Sequence, residues 1–291
     1  MNGLLIINKP AGITSHDVVA RLRKLTGESS IGHLGTLDPM ATGVLPLLLG
    51  RFTRLAQFFK QDRKVYTGTI RFGVATDTYD ADGDPVGSSI DPRLSLTNVR
   101  RLAEKFTGKI EQFPPPFSAK KLHGVPAYKL AREGKTVPLR AVAIEVHRLD
   151  ISAYVSPDAS FEIEISAGGY IRSIAHDLGQ QAECGAHLAG LCRTQAGDFT
   201  LREASTLEEI AARMQEGSLL DHMPHPRLIL PHMPAVTADE GIAVHLRNGM
   251  ACNLPEYSAA PYVRIFTSQR DLFAIGRRLA GTWMQPMVVL G

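Results

Sequence analysis

Interleaved strand and helix patterns predict an α+β fold with a small β-rich module at its carboxyl end. Three observations carry this. Strand-like and helix-like stretches alternate without the regular spacing of βαβ units. The 291 residues are 44% hydrophobic and 21% charged, the composition of a globular chain long enough for one large domain and one small one. A stretch rich in histidine and proline, residues 222–234, reads as a linker to a last segment dominated by strand patterns. The expected division is a first domain over 1–230, with a basic insertion at 108–140, and a second over 235–291.

The elements follow in order. Leu4-Leu-Ile-Ile-Asn8 reads as a buried strand. Thr14-Ser-His-Asp17 has the form of a capping box, opening a helix that puts Val18, Val19, Leu22 and Leu25 on one face and stops at Gly27. Residues 65–73 alternate so that Tyr66, Ile70 and Phe72 share a strand face. A helix over about 97–107 turns Val99, Leu102, Ala103 and Phe106 inward and ends at Gly108. Phe113-Pro-Pro-Pro-Phe117 leads into the lysine-rich insertion. Residues 161–165 alternate as a strand, and Gly168-Gly169 precedes a helix carrying Ile171, Ile174, Ala175 and Leu178, ended by Gly179. Ser205 to Glu208 is read as the cap of a short helix. Beyond the linker come a helix near 238–248, a hairpin of YVRIF and LFAIG, and a strand at PMVVL.

Charge and composition narrow the function classes. The apolar run at the amino end spans four residues, too short for a signal peptide, and nothing approaches a membrane span, so a cytoplasmic protein without membrane association is expected. Three cysteines without CxxC spacing give no disulfide framework. Cys184, His187 and Cys192 lack a fourth ligand nearby, and no metal is expected. Net charge is only +3, but Arg51, Arg54, Lys60, Arg63, Lys64 and Arg71 face a lone Asp62 between 51 and 71. Between 120 and 140, Lys120, Lys121, Lys129, Arg132, Lys135 and Arg140 face a lone Glu133. Two such segments are either solvated faces or a surface that tracks a phosphate backbone.

One carboxylate stands out. Asp38 lies in HLGTLDPMATGVLP among small and apolar residues. Before Pro39 it fits a helix N-cap, whereas Gly35 and Gly43 around it leave room for another backbone or a ligand. Arg172 falls in the first turn of its helix, where the dipole disfavours a cation unless an anion faces it; Glu164, Asp38 or an RNA phosphate would serve. Tyr66 and Tyr170 are either core aromatics or, with Asp38 between them, flat faces for a base. His33 is a loop histidine or an RNA contact. Residues 77–84 have acids at a spacing reminiscent of a calcium loop, but Pro85 stands where that loop needs glycine, which leaves a polar turn.

These segments together resemble the bacterial tRNA pseudouridine synthase B family. NKPAGITSHDVV is similar to its first motif, GHLGTLDPMATGVLPLLLG to its catalytic-aspartate motif, and KVYTGTIRFGVATDTYDADGD to its tyrosine motif. PPPFSAKKLHGVPAYKLAREGK resembles its basic thumb, and GGYIRSIAHDLG with GAHLAGLCRTQAGDF its remaining motifs, so the likeness spans residues 3 to 200. The resemblance implies a pseudouridine synthase fold, a mixed and mostly antiparallel sheet flanked by helices, with a PUA-like RNA-binding module at 235–291. It implies that Asp38 is catalytic, that Tyr66 stacks on the target base and that Arg172 pairs with Asp38. Tyr170 and Leu191 would wall the pocket, His33 would hold the T-loop, and Lys9 with Pro10 would support the loop of Asp38. Lys120, Lys121, Lys129 and Arg132 of the thumb would meet phosphates. Leu34 stands where the family has threonine, and Phe117, which has no hydroxyl to donate, where the thumb has tyrosine.

The implied reaction converts uridine 55 of the tRNA T-loop to pseudouridine. Its partner is the T-stem-loop of tRNA, bound by a monomer without guide RNA. Because the product is an isomer of the substrate, no cofactor is expected. Two other readings compete: an RNA-binding protein that folds tRNA, and a guide-RNA-dependent pseudouridine synthase. A glycosidase would need two carboxylates, and no second acid accompanies Asp38 in the sequence.

Overall fold

The computed structural model describes residues 1–59, 63–117 and 140–291, and the backbone of 121–122 and 125–126. In chain order its strands and helices are β1 (Gly3–Lys9), α1 (Ser15–Thr26), β2 (Ile31–His33), β3 (Thr42–Leu49), β4 (Lys64–Phe72), β5 (Ala75–Thr76), β6 (Pro85–Val86), α2 (Leu96–Glu104) and β7 (Gly108–Gln112). Then come β8 (Lys121–Leu122), β9 (Val125–Pro126), β10 (Val142–Val155), β11 (Asp158–Ile165), α3 (Ile171–Gln181), β12 (Ala186–Ala196) and β13 (Phe199–Thr200). The last are α4 (Leu207–Gln215), α5 (Leu219–His222), β14 (Ala235–Thr237), α6 (Glu240–Arg247), β15 (Cys252–Asn253), β16 (Tyr262–Phe266), β17 (Leu272–Ala280) and β18 (Trp283–Val289). This is an α+β fold.

A nine-stranded sheet runs β1-β3-β12-β4-β11-β10-β7, with β2 on β3 and β13 on β12. Its pairings are antiparallel except β12 on β3. That exception matters for the site. Thr42 and Gly43 at the start of β3 pair with Cys192 and Arg193, while Leu47–Leu49 at its end pair with β2. Segment 34–41, which carries Asp38, joins β2 to β3 across this division of one strand edge. Gly43 makes the crossing possible: a Cβ there would lie 2.2 Å from the Arg193 carbonyl oxygen. The neighbour that glycine admits is therefore backbone.

Local chemistry explains most elements. Thr14 and Asp17 form both hydrogen bonds of the capping box, and Gly27 closes α1 in the left-handed conformation. Val18, Val19 and Leu22 are buried, whereas Leu25 is exposed. Tyr66, Ile70 and Phe72 enter one core with Ile171, Ile174, Ala175 and Leu178 of α3. Helix α3 does not end at Gly179. It continues to Gln181, because glycine here serves close packing: a Cβ at 179 would sit 2.1 Å from the amide nitrogen of Ala186. The helix after 205 is capped by Thr206, with Glu209 completing its box, one residue later than the sequence pattern suggests.

Strand β3 has no alternating pattern to announce it. It is buried on both faces after its first residue, so it reads as an unbroken apolar run, and Pro46 within it keeps a carbonyl for the Leu34 amide at 2.9 Å. A second, five-stranded sheet, β14-β16-β17-β18-β15, occupies the carboxyl end. The 222–234 stretch is not a free linker. Ile229, Leu230 and Met233 are buried in a core that joins Leu4, Ile6 and Phe52 to Phe266, Ile275 and Val288. The buried Arg264 fixes this seam by donating to the carbonyls of Arg227, Ile229 and Met233.

Candidate active site

A cleft of about 380 Å³ opens where loop 34–41, β4, β12 and the start of α3 meet. Asp38, Tyr66, Tyr170, Arg172 and Leu191 all line it, together with Lys64 and Arg193. Asp38 is not a helix cap. Its carbonyl accepts from the Ala41 amide at 3.1 Å in a tight turn, and the chain enters β3 at Thr42 before a helix could form. The Pro39 carbonyl is taken up by the Gly12 amide at 2.9 Å and the Lys9 ammonium at 3.1 Å.

Arg172 holds Asp38 at two points, Nε to Oδ2 at 2.8 Å and Nη2 to Oδ1 at 3.0 Å. The anion that faces the helix start is thus Asp38, while Glu164 pairs with Arg63. The remaining guanidinium donors reach the Thr78 carbonyl at 3.0 Å, the Phe117 carbonyl at 2.9 Å and the Asp80 carboxylate at 3.5 Å. A saturated guanidinium cannot rotate, and it presents the carboxylate in one orientation. The Phe117 contact uses the main chain, so the missing hydroxyl does not affect it. Gln112 bonds both the amide and the carbonyl of Tyr170, fixing the entry to α3.

Two residues at this site escape sequence reasoning. Asp80 is buried, accepts from the Thr78 hydroxyl at 2.5 Å and the Asp82 amide at 3.1 Å, and sets a second carboxylate behind Arg172. The expectation that no second acid accompanies Asp38 is therefore corrected, although Asp80 does not line the cleft. It is one of four acids in a polar turn, and nothing in their spacing distinguishes it. Arg193 is fully buried and donates to the carbonyls of Val44 at 2.7 Å and Gly35 at 3.0 Å, clamping both ends of the Asp38 segment. The available signal is a cation two residues after Leu191, at the end of a mostly apolar run.

Lys9 lies beneath the same loop, fully buried, donating to the carbonyls of Pro10, Ile13 and Pro39. Burial lowers its pKa to about 8, with Asp38 opposing and Arg193 adding to the effect. His33 ends β2 and is half-buried, outside the cleft lining; burial pushes its imidazole below the usual value, and Arg193 and His16 push the same way. Lys120, Lys129, Arg132 and the side chain of Lys121 lie outside the described residues. Among the described residues no three His, Cys, Asp or Glu side chains gather as metal ligands, and no helix is long and apolar enough to cross a membrane.

Residues 23–171 match the family described as TruB family pseudouridylate synthase, amino-terminal domain, and residues 172–232 match the tRNA pseudouridylate synthase B carboxyl-terminal domain. The chain belongs to the TruB family. It is 41% identical to a tRNA pseudouridine synthase B of Solibacter usitatus, over all of both chains. A protein of the same name from Geobacter sulfurreducens is 40% identical across 97% of this chain and 95% of that one. Among solved structures, a Cbf5-Nop10-Gar1 complex contains a chain that superposes with a TM-score of 0.73 at 24% identity, covering 99% of this chain and 85% of that one. A second, an H/ACA RNP bound to a substrate RNA containing 2'-deoxyuridine, gives 0.73 at 22% identity over the same shares. The TruB chain shares its fold with these structures along 99% of its length, both sheets included.

Proposed function

We propose that the chain is a stand-alone tRNA pseudouridine synthase acting on uridine 55 of the T-loop, with Asp38 as its reacting carboxylate. The observation that carries this reading is a carboxylate held at two points by a buried arginine, open to a cleft walled by Tyr66, Tyr170 and Leu191. A uridine inside folded RNA must be extruded to reach such a cleft, and flat apolar walls receive an unstacked base. In the reaction the bond from uracil N1 to the ribose C1′ breaks and a bond from C5 to C1′ forms. The C5 proton leaves to solvent and N1 gains one. Asp38 supplies the one group this needs, a carboxylate next to the sugar and base, and Tyr66 and Tyr170 hold the released ring while it turns. Arg172 and Asp80 orient the carboxylate; Lys9 and Arg193 hold its loop.

Residues 1–230 act as the catalytic domain and 235–291 as an RNA-binding module in this reading, and Lys120, Lys121, Lys129 and Arg132 meet phosphates. The relatives named tRNA pseudouridine synthase B, matched along nearly their whole length, support action on tRNA, whereas the H/ACA RNP and the Cbf5-Nop10-Gar1 complex share only the fold. Release of tritium from C5-labelled tRNA with no guide RNA tests the activity. A transcript with cytidine at position 55 tests the site. Tritium release from the normal transcript and none from the altered one is expected; release from neither removes the activity, and release from both removes the site.

A further inference from the structure

The polar turn behind Arg172 contains an unusual residue. Tyr79 adopts the left-handed conformation, φ 67°, which a side chain disfavours. It sits between the two groups of that turn that meet Arg172, the Thr78 carbonyl and the Asp80 carboxylate. Its ring lies flat on His176, with centroids 3.7 Å apart and planes at 11°. His176 is one turn beyond Arg172 on α3, on the same side of the helix. The turn is therefore tied to α3 at two successive levels, by hydrogen bonds to Arg172 and by a ring stack to His176.

We infer that the Tyr79–His176 stack is a positioning clamp, which pins the 76–80 turn to α3 and so fixes the guanidinium that presents Asp38. The other side of the turn is held by β12, where the Leu188 amide donates to the Tyr79 carbonyl at 3.0 Å and the Ala81 amide to the Leu188 carbonyl at 3.0 Å. These bonds hold the turn to β12, and toward α3 the turn has, besides the stack, only its contacts with Arg172 itself among the described residues. The stack is the contact with α3 that does not pass through the guanidinium it positions. It also explains a tyrosine where glycine or asparagine would suit the backbone, since neither offers a ring. Nδ1 of His176 is buried with no partner among the described residues, so no hydrogen bond at that atom holds the ring against Tyr79. Burial, which pushes its pKa down, agrees with a neutral ring there.

The clamp deepens the proposed function and rests on it for its effect on turnover. Tyr79→Gly suits the left-handed backbone and deletes only the stack, and His176→Ala deletes it from the other side. Both are expected to lower the single-turnover rate about tenfold, with tRNA affinity unchanged, because a small displacement of an orienting group slows reaction without weakening binding. The double variant should be no slower than either single one. Tyr79→Phe and His176→Phe, which keep two stacked rings, should run at the rate of the unaltered protein. A readout independent of turnover is hydrogen exchange at the Arg172 Nε–H, followed by NMR, which should be faster in Tyr79→Gly and unchanged in Tyr79→Phe. A glycine variant with normal rate and normal exchange, or phenylalanine variants as impaired as the glycine one, would overturn the clamp. If the unaltered protein releases no tritium, the functional reading fails and the exchange measurement alone decides this one.

Discussion

Two arginine–carboxylate pairs of similar chemistry occur in this molecule, one at the cleft and one in the carboxyl-terminal sheet. In the carboxyl-terminal sheet, Arg278 pairs with Glu256 and also donates to the carbonyls of Ala260 and Gly281. At the cleft, Arg172 pairs with Asp38 and donates to the carbonyls of Thr78 and Phe117. The arginines are used alike; the carboxylates are not. Glu256 also accepts from the amide and hydroxyl of Ser258, and its side chain is 11% exposed. Asp38 accepts from Arg172 alone among the described residues, and its side chain is 33% exposed, toward the cleft. Asp80, 7% exposed, has Oδ1 taken by Thr78 and Asp82 and Oδ2 turned to Arg172, and so behaves like Glu256. A carboxylate whose lone pairs are spent stabilises a loop, and one oriented but left open is available for reaction.

The comparison predicts unequal responses to one substitution. Arg172→Lys should lower the tritium-release rate about a hundredfold, because an ammonium cannot replace the planar two-point contact. Arg278→Lys should leave that rate unchanged and lower only the melting temperature. Equal effects on rate would erase the distinction between the two sites.

A smaller effect concerns the support of the loop. Lys9 has three carbonyl partners and, with a pKa near 8, three donors below that pH but two above it. The single-turnover rate should therefore fall as pH rises through about 8. Lys9→Met should be about tenfold slower at neutral pH and should lack this alkaline limb. Rate profiles between pH 6.5 and 9.5 for both proteins check this.

The smallest effect is on stability. Burial raises the Asp177 carboxyl to about 6 from the 3.8 of a free carboxyl. Between those values the folded chain keeps a proton that the unfolded chain has released, so folding stability falls as pH rises across the window and stays reduced above it. Asp177→Asn should raise the melting temperature at pH 7.5 by about 2 to 4 °C and give no gain near pH 3.5. A gain of equal size at both pH values would place its cause elsewhere.

What the sequence discloses follows from how local each cause is. Helix α1 is legible because its cap, its apolar face and its glycine stop lie within fourteen residues. Asp38, Tyr66, Tyr170, Arg172 and Leu191 are legible because each belongs to a motif with its own residue pattern. Strand β3 is not, since burial on both faces leaves no alternation to read. Asp80 and Arg193 are not, because what makes each matter lies far along the chain: Arg172 for the one, the carbonyls of Gly35 and Val44 for the other. The seam at 229–233 reads as linker in the sequence because proline and histidine mark turns whether or not a second sheet covers them.

The account turns on Asp38 being oriented for reaction and not for structure. Asp38→Asn matches the carboxylate in size and removes its charge, and Glu256→Gln does the same at the other pair. With C5-tritiated tRNA under single-turnover conditions, Asp38→Asn should bind tRNA with unchanged affinity and release tritium at least a thousandfold more slowly, on the order expected when a reacting group is removed. Glu256→Gln should release it at the normal rate. Tritium release by Asp38→Asn at a rate near that of Glu256→Gln would contradict the account.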